Sequence, residues 1–174
     1  MPEIPDHHPA HGTITLNLAA NALGLDNAAT PLGIQAMRDM QSVNHQRDTL
    51  SNAQILFLVL NTSSVTVLPV TVFLYRAQQG AAHPAEVFIP ILFATSISTL
   101  VGLLSVAYVQ RLPLFNRLVF GYLAVFAATP IGIYFYYSSV PSIQVAEQAQ
   151  TLANVILFSV IVIFIVAGWR KKID

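Results

Sequence analysis

Cysteine is missing from this chain. Disulfides, thiolate metal centres and a cysteine nucleophile are excluded with it. Charge is nearly as scarce: Asp, Glu, Lys and Arg together make up 9% of the residues, against roughly 25% in an ordinary soluble domain. So few charges leave too little polar surface to face water on all sides. The charges that remain cancel, eight acidic against eight basic, so the basic surface that neutralises nucleic-acid phosphates is lacking. Residues 1–12, MPEIPDHHPAHG, have neither a basic start nor an apolar stretch. A leader of the usual secretory kind is not expected there, and membrane insertion would be directed by later segments.

What the chain does have is apolar sequence, 55% of its residues. Four segments are long and uncharged enough to be expected as membrane spans: 49–75, 87–110, 118–139 and 152–169. Tyr134, Tyr136 and Tyr137 close the third, and Trp169 with Arg170, Lys171 and Lys172 closes the fourth, the aromatic and basic pattern of a membrane interface. With these spans, Arg38, Arg47, Arg111, Arg117, Arg170, Lys171 and Lys172 fall on one side and Arg76 alone on the other. The positive-inside rule then puts the C-terminus in the cytoplasm of a multi-pass inner-membrane protein.

Residues 13–42 are different. An apolar run of about thirteen residues, too short to span, carries Thr13, Asn17 and Asn21 at i, i+4 spacing on one helical face. Gly24 suits a helix stop, and Thr30 followed by Pro31 suits an N-cap and first turn, so a second half-helix is expected from Pro31 to Ser42. A capping box, Ser51-x-x-Gln54, then opens the next helix. Its middle holds Asn61, Thr62, Ser63 and Ser64, followed by Thr66 and Pro69. Hydroxyls can re-satisfy the backbone groups that a proline frees. Four adjacent polar side chains exceed that need, because they cover more than one face, and a second discontinuity is expected before Pro69. The density of Thr95, Ser96, Ser98, Thr99 and Gly102 reads as close helix packing.

The expected fold is therefore all-α and integral to the bilayer, with about four transmembrane helices plus a re-entrant or broken half-helix pair near the N-terminus. The candidate substrate or ion path consists of Asn17, Asn21, Asp26, Asn27, Thr30, Asn61, Thr62, Ser63 and Ser64, with breaks at Gly24, Pro31 and Pro69. Asparagines and hydroxyls both donate and accept, which suits a small neutral polar solute or an ion held by carbonyls. For any one asparagine, interhelical hydrogen bonding is the simpler role. Asp26 lies inside an apolar stretch and must be protonated, paired or in water. It reads equally as a cation or proton site and as a turn residue. His8 and His11 are three apart, but Pro9 intervenes and no carboxylate-rich partner is near, so no metal site is assigned. No serine has a base in reach, no span contains His and no carboxylates pair, so neither enzymatic activity nor a cofactor is expected.

The run His8-Pro9-Ala10, Asn17, Ala20-Asn21, Gly24-Leu25-x-Asn27-Ala28-Ala29-Thr30-Pro31-Leu32-Gly33-Ile34-x-Ala36-Met37, together with Leu58-x-Leu60-Asn61-Thr62-Ser63-Ser64 and Pro69, resembles the spore maturation protein A family. That family carries a nucleoside recognition, or Gate, domain, and the resemblance covers roughly residues 2–104. It implies a Gate-like membrane domain over residues 1–110, followed by two further transmembrane helices over 111–174. Many members look to have glycine where this chain has Asp26, so the resemblance implies no role for that carboxylate. It also implies membrane helices ahead of residues 2–5 and, in fused versions, continuation beyond residues 170–174 into a spore maturation protein B-like half. The chain is thus expected to be part of a longer protein, or to work as a homo-oligomer or with such a partner subunit. A non-transporting assembly or scaffold protein is the alternative to solute translocation.

Overall fold

Prolines and glycines set the ends of the helices in the computed structural model, which describes residues 3–46, 48–111 and 117–171. Among these residues the chain is helical, without strands. Helix α1 (Ala10–Ala22) starts after Pro9, three residues before the sequence pattern predicts. It ends at Gly24, whose φ of 60° is the left-handed conformation that a helix stop requires. The Gly24 N–H donates to the Asn21 carbonyl at 3.0 Å and the Leu25 N–H to the Ala20 carbonyl at 2.9 Å, the paired closure of a Schellman motif.

Helix α2 (Asp26–Ser42) corrects the expected start at Pro31. Leu25 is its cap, Asp26 occupies the first turn, and Pro31 lies inside the helix. The Leu25 carbonyl takes the N–H groups of both Ala28 and Ala29 at 2.9 Å, so helical bonding is established before the proline arrives. Pro31 then removes one donor, the one that would serve the Asn27 carbonyl four residues back. Thr30 is accordingly no N-cap; its hydroxyl donates to the Asp26 carbonyl at 3.3 Å.

The segment 49–75, expected as a span with a discontinuity before Pro69, is two short helices, α3 (Asn52–Thr62) and α4 (Val70–Gln78). The capping box forms as predicted: the Gln54 N–H donates to Ser51 Oγ at 3.3 Å, and the Ser51 N–H to Gln54 Oε1 at 2.8 Å. Between α3 and α4 the backbone leaves the helix, and Pro69 stands immediately before α4. A 3-10 turn, Pro84–Val87, leads into α5 (Phe88–Val109); α6 (Arg117–Ser138) and α7 (Ser142–Lys171) complete the chain.

Two stretches among the described residues are helices long and apolar enough to cross a membrane, Pro84–Val109 and Gln144–Arg170. The third expected segment is the single 22-residue helix α6. At 1.5 Å per residue it is roughly 33 Å long. Of the basic residues behind the expected orientation, Arg47 and Lys172 lie outside the described residues, as do Ile173 and Asp174.

Two apolar clusters hold the helices together. One joins Ile4, Ala10, Ile14, Ala36, Met40, Ala53 and Phe57, where α1, α2 and α3 meet. The other joins Leu68, Ala85, Phe88, Ile89, Ala149 and Ala153, seating α5 and α7 on the second break. Burying a Phe57- or Phe88-sized side chain stabilises by roughly 1.5–3 kcal/mol each. The outer half of α7 is uncovered, with Phe158, Ile163, Phe164 and Ile165 exposed and Trp169 89% exposed.

Candidate functional site

The two breaks interlock. The Ala22 carbonyl, left without a helical partner at the end of α1, accepts the N–H groups of Val67 at 2.7 Å and Leu68 at 3.0 Å. The Thr71 hydroxyl donates to the Gly24 carbonyl. A Cβ on Gly24 would come within 2.7 Å of the Leu68 oxygen and 3.0 Å of Pro69 Cα. Glycine therefore serves twice at this position, for its backbone conformation and for the close approach of the second break. Irregular backbone at both breaks is satisfied by the other, which is what an apolar surrounding demands.

Beside this crossing runs a chain of amides. Asn61 Oδ1 accepts from Asn21 Nδ2 at 2.8 Å, and the same Nδ2 lies 3.3 Å from Asn17 Oδ1. Asn17, 1% exposed, donates onward to the Ala29 carbonyl at 2.8 Å. Gly33 leaves room for it, since a Cβ there would stand 3.0 Å from Asn17 Nδ2. Three helices are thus tied by three asparagines.

A groove of about 640 Å³ opens along these residues between α1, α2 and α3. Asn17, Asn21, Asp26, Thr30 and Asn61 line it, as the sequence predicts for a shared site. Asn27, Thr62, Ser63 and Ser64 are not among its lining residues. Asn27 is exposed on α2. Thr62 and Ser63 turn their hydroxyls back to the Leu58 and Val59 carbonyls at 2.9 and 2.7 Å, finishing the last turn of α3. Asp26 is exposed in the first turn of α2, where its charge complements the positive helix end. Of the three expected break residues, Gly24 and Pro69 stand at breaks, and Pro31 stands within α2.

Residues outside the predicted set also line the groove, among them Gly33, Arg38, Gln54 and Phe57. Gln54, 1% exposed, donates to Gln41 Oε1 at 2.8 Å and accepts from Asn44 Nδ2 at 3.1 Å. Its seven-residue separation from Asn61, with Phe57 and Leu58 between, is the one-face spacing of a helix and could have placed it here. The small residues of α5 close the second break from behind. The Thr99 hydroxyl donates to the Ser63 carbonyl, and the Thr66 N–H lies 3.3 Å from Thr95 Oγ1. A Cβ on Gly102 would meet Ser63 Oγ at 2.9 Å.

Among the described residues the protein is all-helical, with two helices long and apolar enough to cross a membrane, and is built on a pair of interlocked broken helices with an amide-lined groove beside them. The chain is 46% identical over 98 residues to spore maturation protein A of Bacillus subtilis (strain 168), a match covering 56% of this chain and 50% of that protein. This similarity agrees with the resemblance carried by the asparagine and proline motifs. The chain spans about half the length of the curated relative it matches. No family model matches it, and no solved structure does.

Proposed function

We propose that this spore-maturation-type membrane protein is a component for translocating a small polar solute or ion, with the amide-lined groove as its path. One observation carries this reading: the two helix breaks meet, and Asn17, Asn21 and Asn61 line the same groove as Thr30 and Asp26. Discontinuous helices crossing beside a polar cavity are the arrangement that many transporters use at their binding sites. Neutral amides would replace the hydration of a neutral solute or of an ion, and Asp26 on the groove's wall would attract a cation. No enzymatic step is part of the proposal. Residues 1–110 would form a Gate-like domain, with four passes in all and a cytoplasmic C-terminus.

Uptake into proteoliposomes tests it. Asn21→Ala and Asn61→Ala proteins that fold normally should lose most uptake; wild-type rates in both would reject the path.

The second reading is an assembly protein that works through a homo-oligomer or a spore maturation protein B-like partner. The uncovered apolar length of α7 favours it. Stoichiometric co-purification of a partner, without ligand-dependent stabilisation, would select this reading over transport.

A further inference from the structure

A second cavity, of about 610 Å³, lies away from the asparagine groove, between α5, α6 and α7. Toward the α6–α7 turn its wall is Tyr136 and Tyr137 on one side and Glu147 and Gln148 on the other. Deeper, along the same helices, it is lined by apolar side chains such as Leu92, Ile133 and Val155. The cavity is thus polar at one end and apolar at the other.

The polar end holds an unmet demand. Gln148 Oε1 is buried, with no hydrogen-bond partner among the described residues. Buried carbonyl oxygens are nearly always paired, and an orphan asks for a donor. The neighbouring groups say what kind. Glu147 brings a carboxylate, and among the described residues the one ion pair is Arg76 with Glu86, so none of their cations pairs with it. Tyr136 and Tyr137 pack edge to face, with ring centroids 4.9 Å apart, and Tyr136 is 57% exposed. Aromatic faces beside a carboxylate form a cation-binding surface. An ammonium group would satisfy all three features at once, donating to Gln148 Oε1, pairing with Glu147 and lying against the tyrosine rings. The apolar depth calls for a hydrocarbon chain attached to it.

The geometry points to this cavity as a binding site for an amphipathic primary amine, an alkyl chain bearing an ammonium head. The head could be that of an aminophospholipid or of a free long-chain amine, since the two share this chemistry. α7 positions the site: Ala149 and Ala153 face the core, and Gln150 Oε1 accepts the Ala85 N–H at 3.1 Å. These contacts turn Gln148 toward the cavity.

The full chain, purified in detergent, is equilibrated with phosphatidylethanolamine and with phosphatidylglycerol, and retained lipid is read by native mass spectrometry. n-Dodecylamine serves as competitor, with dodecanol as its uncharged control. Expected is preferential retention of phosphatidylethanolamine and its displacement by dodecylamine but not by dodecanol. Glu147→Gln and Gln148→Leu should each weaken retention about tenfold, the loss of one charge-assisted contact. The unfolding temperature of the amine-free Gln148→Leu protein should not fall, because the substitution removes an unpaired acceptor. Binding of dodecylamine without phosphatidylethanolamine retention would identify a free amine as the ligand and uphold the site. Equal retention of the two lipids with no dodecylamine binding would overturn it. So would unchanged retention in the exposed-site variant Glu147→Gln, which keeps the test valid should Gln148→Leu fail to fold.

Discussion

Asn21 Nδ2 donates to Asn61 Oδ1 at 2.8 Å, a side-chain bond between residues forty apart in sequence. It links the first broken helix directly to the second, and it continues through Asn17 to the backbone of α2. A double-mutant cycle on thermal stability, with Asn21→Ala, Asn61→Ala and the pair, should give a coupling of ~1 kcal/mol, the usual size of an interhelical hydrogen bond in an apolar setting. Asn17→Ala should cost more than either single change, since it leaves a buried cavity beside the Ala29 carbonyl.

Gly24 should tolerate no side chain. Gly24→Ala faces two penalties: a positive φ, and a Cβ 2.7 Å from a backbone oxygen of the second break. Gly80 separates them, because its φ is 78° but nothing lies within 4 Å of a Cβ there. Gly80→Ala should therefore cost only the left-handed penalty of about 1–2 kcal/mol. Gly24→Ala should exceed it clearly in chemical or thermal unfolding, the excess measuring the interlock. Equal costs would mean that the breaks can move apart freely.

Why some of this was legible in the sequence follows from how local each signal is. Gly24 could be read as a stop, Ser51-x-x-Gln54 as a capping box and the run before Pro69 as a break, because each is settled within a few residues. Pro31 misled for the same reason. Proline is favoured in a first helical turn, but the Schellman closure of α1 presents the Leu25 carbonyl early, and α2 starts five residues sooner. The pairing of the Ala22 carbonyl with Val67 and Leu68 has no local signature at all. It depends on tertiary placement, as does the burial of Gln54. Thr62 and Ser63 can donate and accept as the groove asparagines can, yet their short side chains reach back to their own helix.

Behind the second break, Gly102 should be as restrictive as its contacts suggest. A Cβ there meets Ser63 Oγ at 2.9 Å and Val59 Cγ1 at 3.0 Å. Gly102→Ala should lose about 1–3 kcal/mol of stability to overpacking, despite alanine's better helix propensity. Gly102→Ala combined with Ser63→Ala should recover part of that loss, because the closer obstacle is gone. As the control, Gly12→Ala in α1, where nothing lies within 4 Å, should instead raise stability by roughly 0.5–1 kcal/mol.

Pro31 offers the sharpest separation of stability from transport. It is exposed, lies inside α2 and deprives the Asn27 carbonyl of its helical donor. Pro31→Ala restores one backbone hydrogen bond and should raise the unfolding temperature, with a gain of up to ~3 kcal/mol. The same change stiffens the first turns of α2, the stretch that carries Asp26, Ala29 and Thr30 along the groove. If the groove is a translocation path, that stretch must yield as a solute passes. Uptake by the Pro31→Ala protein should then fall while its stability rises, the opposing changes expected where function needs a weakened element. A variant that is both more stable and fully active in proteoliposomes would show that the proline has no part in transport.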